Sequence, residues 1–244
     1  MTLSGGIPVF IQCLIYSNIV SLPPPNKINY ARIVKRKNKI KKNAKDISFW
    51  FIRHGESEGN TLEDECPVMH DSVLTDQGRK EAQKIVDYFK KNKIDISDVY
   101  TSSQSRSYQA AEIVATAFGF PLKVKNNLQE RNWGEWKNLR WMEVSKNLEA
   151  LTIEERYSFI PKDGESWKQM ERRLFAALEE IAEENSSGEN AVIVTHRGCL
   201  RAILPKLAKS GIEQHKEFSV PLGALSKFSF QKDSFDFVGL VPEG

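Results

Sequence analysis

Residues 49–60 read FWFIRHGESEGN, and the expected fold follows from them. The first four residues are aromatic or branched apolar side chains, as in a strand that is buried on both faces. The apolar run ends abruptly at Arg53, His54 and Gly55, and small or polar residues follow. In open α/β sheets, ligands bind beyond the carboxyl ends of the strands. The pattern therefore predicts a buried strand that delivers a cation and an imidazole to a ligand-binding edge.

A second stretch has the same order of features. Residues 191–195 read AVIVT, and His196, Arg197 and Gly198 follow directly. A continuous apolar run of this kind is typical of a central parallel strand. A glycine after each histidine lets the chain turn sharply and brings main chain close to a ligand. If both strands are central and parallel, His54 and His196 emerge at the same edge of the sheet.

The intervening sequence alternates between helical and strand patterns. The pattern predicts helices that start after Thr75 as an N-cap and over 105–118, 166–185 and about 198–208, with Pro205 kinking or ending the last one. It predicts short strands over 98–101 and 122–124, and a closing hairpin over 225–240. Residues 126–164 are irregular, with two short helices. This alternation predicts an α/β fold, a three-layer α/β/α sandwich with a mostly parallel central sheet.

The positive charge of the chain is concentrated near its start. With 244 residues and 40% hydrophobic content, the chain can bury one full core. Nine of its 35 basic residues, and no acidic residue, precede Asp46; the other 26 face 31 acidic residues from position 47 onward, a net charge near −5. We therefore predict a basic, disordered extension over 1–46 and a single domain over 47–244. The folded part gives no reason to expect a nucleic-acid partner.

The location of the protein is predicted from its cysteines and its first residues. Three scattered cysteines without CxxC spacing indicate neither a disulfide framework nor a zinc site, so we expect a cytoplasmic, reducing environment. The apolar residues 7–22 come before the basic run, whereas a secretory signal has the reverse order. An organelle-targeting leader or a weak membrane anchor in 1–46 stays open as an alternative.

The chain resembles the histidine phosphatase superfamily, in its phosphoglycerate-mutase-like branch, over about residues 47–240. A lone RHG tripeptide is weak evidence, but here the family's motifs recur in order. They are Arg53-His54-Gly55-Glu56-Ser57 with Asn60, Leu74-Thr75 followed by Gly78, the stretch from Thr101 to Arg106, Leu128-Gln129-Glu130 followed by Trp133-Gly134-Glu135-Trp136, Gly164-Glu165-Ser166, and Thr195-His196. The resemblance implies a phosphoglycerate-mutase-like fold and phosphoryl-transfer chemistry.

The resemblance also implies a role for each matching position. His54 would attack phosphorus as a neutral imidazole and form a phosphohistidine. Arg53, Arg106 and His196 would hold the phosphoryl oxygens, because neutralising their charge is most of the catalysis in phosphoryl transfer. Glu130 would protonate the leaving alkoxide and then deprotonate the attacking water. In this scheme no metal or other cofactor is required.

Further substrate contacts are expected from Asn60, Ser57, Ser102 and Arg197. Serines at the boundaries of helices and strands commonly act as caps, so Ser57 and Ser102 have that alternative role. Arg197 stands where the family often has glycine; it would help bind a multiply charged substrate, or point to solvent. Cys199 is expected to be a small buried residue and not a nucleophile.

The function that we predict is a phosphomonoesterase acting on a small phosphorylated substrate, with a phosphoprotein as the alternative. A phosphoglycerate-type mutase and a non-catalytic phosphate-binding protein are the competing functions. The mutase is disfavoured by the short separation between Glu130 and His196 and by a missing Trp-x-Asp element after RHG. Arg172-Arg173 is the only paired arginine between them, and we expect it on the solvated face of its helix. The tryptophan-rich segment 131–164 is either a substrate lid or ordinary core.

Overall fold

A six-stranded sheet forms the centre of the computed structural model, which describes residues 47–62, 65–185, 190–229 and 234–240. The strand order is β3-β2-β4-β1-β5-β6. The strands are β1 Ser48–Arg53, β2 Asp98–Thr101, β3 Leu122–Val124, β4 Asn190–Thr195, β5 Ala224–Ser229 and β6 Ser234–Leu240. The extension predicted over 1–46 lies outside the described residues.

Strands β1 to β4 are parallel, and this arrangement brings the two histidines together. β1 pairs with β4 in register from Ser48 opposite Asn190 to Arg53 opposite Thr195. Both strands thus end at the same level, and His54 and His196 are the next residues. β5 runs antiparallel to β1 and to β6, which confirms the closing hairpin. The sheet is mostly parallel, as the sequence predicts.

Seven α-helices connect and cover the strands of the described chain. They are α1 Glu58–Thr61, α2 Asp76–Lys91, α3 Ser105–Phe118, α4 Trp141–Leu148, α5 Ile153–Ser158, α6 Trp167–Glu184 and α7 Arg197–Leu207, with 3₁₀ turns at Asn126–Leu128, Gly134–Asn138 and Ile212–Gln214. The N-cap of α2 is confirmed, since the Thr75 hydroxyl accepts a hydrogen bond from the Gly78 N–H at 3.1 Å. α7 continues two residues past Pro205, so the proline lies within its last turn and does not end it.

Two apolar cores lie on opposite faces of the sheet. Phe49 and Phe51 point into the core that is covered by α6 and α7. Trp50 and Ile52 point into the other core, which is covered by α2 and α3. This alternation of side chains along one strand explains why every residue of the run from 49 to 52 is apolar. The three-layer sandwich is confirmed.

The tryptophan-rich segment has a small core of its own beside the sheet. Trp133, Val144 and Leu148 are buried there, and partly buried side chains from 68–69 and 136–159 pack against them. Trp133 stacks on Trp136, with ring centroids 6.4 Å apart. The segment is therefore a packed unit; its role as a substrate lid stays a prediction. No helix in the described ranges has the length and apolar character to cross a membrane.

Candidate active site

The loop after β1 fits tightly against the start of α2, and two glycines allow this. A Cβ at Gly55 would lie 2.4 Å from the carbonyl oxygen of Gly78, and a Cβ at Gly78 would lie 1.9 Å from that of Glu56. Both distances are far below van der Waals contact. The glycine of the RHG motif and Gly78 are therefore required for the close approach that aims the residues after β1.

The main chain of His54 is tied to its neighbours on both sides. Its N–H donates to the carbonyl of Thr195 at 3.1 Å, and its own carbonyl accepts from the N–H of Gly223 at 3.2 Å. The first bond continues the ladder between β1 and β4 by one residue. The imidazole is thus attached to a rigid part of the sheet.

The hydrogen bonds of the His54 ring define its tautomer. Nδ1 lies 2.8 Å from the carbonyl oxygen of Gly55, and a carbonyl oxygen only accepts, so Nδ1 carries the hydrogen. Nε2 then has the free electron pair, and it accepts a hydrogen bond from Nε of Arg106 at 3.1 Å. The lone pair that a nucleophile needs is at Nε2.

Both histidines of the candidate site have a strongly lowered pKa, which favours the neutral form. Burial and, second to it, the Arg106 guanidinium lower the pKa of His54 well below 6.5. Burial, Arg106 and His54 itself lower the pKa of His196 in the same way. The cause is common, since a second positive charge is disfavoured in a desolvated site that already holds arginines.

We expect the free energy of unfolding to fall as the pH drops below about 6.5. In that range the two histidines are protonated in the unfolded protein but stay neutral in the folded protein. The free energy of unfolding therefore decreases by up to about 1.4 kcal/mol per pH unit for each histidine. Urea denaturation at about pH 7.5 and about pH 5.5 measures this. His196→Asn should remove one histidine's share of the slope. Equal stability of the wild-type protein at both pH values would contradict the assignment.

Arg106 is positioned by the first turn of α3 and the segment before α2. One terminal nitrogen donates to the carbonyl of His70 at 3.1 Å and lies 3.7 Å from the Asp71 carboxylate. That carboxylate also accepts from the N–H and hydroxyl of Ser105, the first residue of α3, at 2.9 Å each. These contacts leave Nε of Arg106 directed at His54.

Arg53 contributes a second buried cation. One terminal nitrogen donates to the carbonyl of Val220 at 2.9 Å. Its Nε is buried and has no hydrogen-bond partner among the described residues, so a donor is available for an anion. Burial and the nearby Arg197 lower the pKa of Arg53 to about 10, which still leaves it charged at neutral pH.

The Glu130 carboxylate lies at the N-terminal end of α7. One oxygen accepts from the N–H of Gly198 and the other from the N–H of Arg131, both at 2.9 Å. Its negative charge raises the pKa of both Arg53 and Arg106 against the lowering effect of burial, so the carboxylate is electrostatically close to both. A carboxyl group is therefore placed near Arg53 and Arg106.

The loop that carries Glu130 is held by Arg173, and here the sequence-based expectation was wrong. Arg173 makes two hydrogen bonds to the Glu165 carboxylate, at 2.9 and 2.6 Å, and donates to the carbonyls of Asn127 and Glu130. Arg172 is exposed, as expected for a solvated face. Neighbouring helical positions differ by about 100° in direction, so only one of the pair faces solvent.

His196 is oriented by Ser102. The Ser102 hydroxyl lies 2.8 Å from Nε2 of His196 and also accepts from the N–H of Gln104 at 3.3 Å. Nδ1 of His196 is buried without a partner among the described residues. The rings of His54 and His196 are 5.2 Å apart between centroids. Ser102 thus contacts the site, but it is not the cap of α3, whose N-cap residue is Gln104.

Ser57 and Asn60 pair with each other at the start of α1. Oδ1 of Asn60 accepts from the N–H of Ser57 at 3.1 Å and from its hydroxyl at 2.9 Å, while Ser72 donates to the Ser57 hydroxyl. Their contact with phosphate stays a prediction. Arg197 is exposed at the first position of α7, near enough to Arg53 to lower the pKa of Arg53.

Several residues of the site were missed by sequence reasoning. Gln104 accepts from the N–H of Glu130 through its side chain, at 2.8 Å. Glu165 was noted only as part of a motif before α6, although its position before a long helix with an arginine eight residues on was a usable signal. Cys199 is fully buried and burial raises the pKa of its thiol to about 12, so it is no nucleophile at neutral pH, as expected.

The candidate site is built from arginines, imidazoles and one carboxyl group. Among the residues that the structure describes, no group of three or more His, Cys, Asp or Glu side chains is arranged to hold a metal ion. The cationic groups named above are those available to bind an anion.

Comparison with known proteins identifies relatives along most of the chain. Residues 49–241 match the sequence profile of the histidine phosphatase superfamily (branch 1). Phosphoglycerate mutase-like protein 4 of Arabidopsis thaliana is 29% identical over 186 residues, 74% of this chain and 80% of the relative. The metal-independent phosphoserine phosphatase of the same plant is 29% identical over 188 residues, 75% and 78% of the two chains. The alpha-ribazole phosphatase of Shigella flexneri shares the fold, with a TM-score of 0.67 at 21% identity, over 80% of this chain and 96% of that one.

Proposed function

Because this chain belongs to the histidine phosphatase superfamily, we propose that it is a metal-independent phosphomonoesterase that works through a phosphohistidine on His54. The observation that carries the proposal is the state of the His54 ring. Nδ1 is tied to the carbonyl of Gly55, and Nε2 is an unprotonated nitrogen beside Arg106. A neutral imidazole beside arginines suits attack on an anionic phosphoryl group, because the arginines neutralise the charge on its oxygens.

In the first step, the lone pair on Nε2 of His54 forms a bond to phosphorus while the bond from phosphorus to the ester oxygen breaks. This step uses Glu130 in its protonated form, and the carboxylic acid gives its proton to that leaving oxygen. Arg53, Arg106 and His196 bind the three remaining phosphoryl oxygens. Arg106 exchanges its hydrogen bond with Nε2 for one to an incoming oxygen, which exposes the lone pair.

In the second step, the Glu130 carboxylate takes a proton from water. The water oxygen bonds to phosphorus as the bond from phosphorus to Nε2 breaks, and inorganic phosphate leaves. The same carboxyl group thus acts first as acid and then as base, which returns the enzyme to its starting state.

A mutase is the second candidate, favoured by the relative that is named phosphoglycerate mutase-like. In a mutase the phosphohistidine would pass its phosphoryl group to a second hydroxyl of the bound substrate instead of to water. The phosphoserine phosphatase of similar identity supports hydrolysis. We propose a small phosphorylated metabolite as the substrate, with a phosphoprotein as the alternative, and no nucleic-acid partner.

Incubation with 3-phosphoglycerate separates the two reactions. We expect that the protein releases inorganic phosphate from at least one member of a panel of phosphorylated metabolites in the presence of EDTA. We expect no 2-phosphoglycerate from 3-phosphoglycerate, with or without added 2,3-bisphosphoglycerate. Phosphate release by colorimetry and isomer formation by NMR are the two measurements.

Two outcomes would contradict this proposal in different ways. Formation of 2-phosphoglycerate faster than free phosphate would establish a mutase. Absence of both products across the panel, with p-nitrophenyl phosphate included, would favour a phosphate-binding protein without catalysis.

A further inference from the structure

The main chain at Gly198 and the side chain of Glu130 are in direct contact. A Cβ at Gly198 would lie 2.1 Å from Oε1 of Glu130, 2.9 Å from Cδ and 3.1 Å from Oε2. The carboxyl group therefore occupies the space where any other residue would have its side chain. The two residues are 68 positions apart in the sequence.

The glycine is not required by the backbone conformation. Gly198 is the second residue of α7 and does not have positive φ, unlike Gly119, Gly134 and Gly223 among the described residues. Alanine is the better helix former at such a position. Glycine is therefore needed here because a side chain would overlap the carboxyl group of Glu130.

Gly198 also binds the group for which it makes room. Its N–H donates to Oε2 of Glu130 at 2.9 Å, while the N–H of Arg131 binds Oε1. The first N–H groups of a helix have no partner within the helix, and they suit a carboxylate. Two main-chain donors and one cleared space thus fix the position of the carboxyl group.

We propose that Gly198 is a positioning residue for the proton donor Glu130. This inference rests on the proposed function, in which Glu130 protonates the leaving oxygen. The glycine holds the carboxyl group at the N-terminal end of α7, near Arg53 and Arg106. This is where the ester oxygen of a bound phosphate would lie. It sets the rate for substrates whose leaving group needs a proton.

Gly198→Ala tests the proposal, because the added methyl group meets the end of a flexible side chain. The carboxyl group will move and the helix will not, so the protein should fold, and any drop in thermal stability should be small and come from weakened hydrogen bonds to the carboxyl group. A misplacement of about 1 Å at a reacting group costs about 10²-fold in rate. We expect kcat/KM for glycerol 2-phosphate, whose alkoxide must be protonated, to fall about 10²-fold. For p-nitrophenyl phosphate, whose phenolate leaves without a proton, we expect a loss below about 5-fold.

Two controls isolate the effect. Lys206→Ala introduces the same residue later in α7, away from Glu130, and should leave kcat/KM for both substrates unchanged. In a Glu130→Gln background, Gly198→Ala should cause no further loss, because interacting groups show non-additive effects when one of them no longer functions.

An equal loss on both substrates, failure of Gly198→Ala to fold, or a further loss in the Glu130→Gln background would overturn the inference. So would unchanged activity of Gly198→Ala on glycerol 2-phosphate. In each of these cases the wild-type protein is still a phosphatase. Absence of hydrolysis by the wild-type protein would instead overturn the proposed function, and this inference with it.

Discussion

His54→Ala should reduce the hydrolysis of p-nitrophenyl phosphate by more than about 10⁴-fold, the scale of loss when other covalent catalysts are deprived of their nucleophile. The physical reason is the pairing of the ring, in which Nδ1 is held by the carbonyl of Gly55 and Nε2 carries the lone pair. Arg53 and Arg106 would remain, so phosphate binding should persist while turnover stops. The release of p-nitrophenolate measures the loss.

A second variant, closer in size to histidine, separates loss of the nucleophile from loss of activity caused by a cavity. His54 is only 4% exposed, so alanine leaves a cavity, whereas His54→Asn fills more of the space and keeps a polar group. Both variants should be inactive, and circular dichroism should show both to be folded. Full activity in either one would refute the nucleophile assignment.

The covalent step has its own signature. A phosphoramidate on imidazole is labile in acid and stable in alkali. Rapid quenching with a radiolabelled phosphomonoester should therefore label the wild-type protein with that stability profile and leave His54→Asn unlabelled. A label that is stable in acid would indicate a serine ester instead.

Glu130→Gln should have the second largest effect, and that effect should depend on the leaving group. The amide has nearly the same size as the carboxyl group but cannot deliver a proton. It also presents an NH₂ group to one of two main-chain donors, from Gly198 and Arg131, which leaves that donor without an acceptor. We expect kcat/KM for glycerol 2-phosphate to fall about 10²–10⁴-fold, the usual range for general acid catalysis.

With p-nitrophenyl phosphate, the same variant should reveal the second step. Formation of the phosphohistidine needs little acid assistance for this substrate, but its hydrolysis needs a base. The phosphoenzyme should accumulate, and stopped-flow absorbance should show a burst of p-nitrophenolate followed by a slow steady state. Glu135→Gln, which changes an exposed acid five residues away, serves as the matched control. Equal losses on both substrates without a burst would contradict the two roles of Glu130.

The sequence was sufficient for the frame of the site. The apolar runs before His54 and His196 predicted two strands that end at the same edge, and the register of β1 with β4 confirms this. The bounds of α3 and the N-cap at Thr75 were also predicted, since local capping and periodicity determine them. Local patterns report on local structure, and here that includes both strand ends.

The contacts that complete the site could not be read in this way, because they join distant segments. Ser102 and His196 are 94 residues apart, and the carboxyl group of Glu130 rests against a glycine 68 residues later. Arg172 and Arg173 stand out as a pair in the sequence, but which of them contacts the loop of Glu130 depends on the helical face that packs against it. Such pairings are decided by how the layers of the fold pack.

The main chain of His54 is held by two hydrogen bonds, one to β4 and one to the turn before β5, so it cannot shift easily when a substrate binds. We therefore expect substrate binding to rearrange side chains, above all that of Arg106, which in the proposed mechanism gives up its hydrogen bond to Nε2. In the proposed mechanism, the phosphoryl group would therefore bind to and leave a residue whose main chain is held in place by the sheet. We expect the sheet to keep His54 in place while the arginine side chains move.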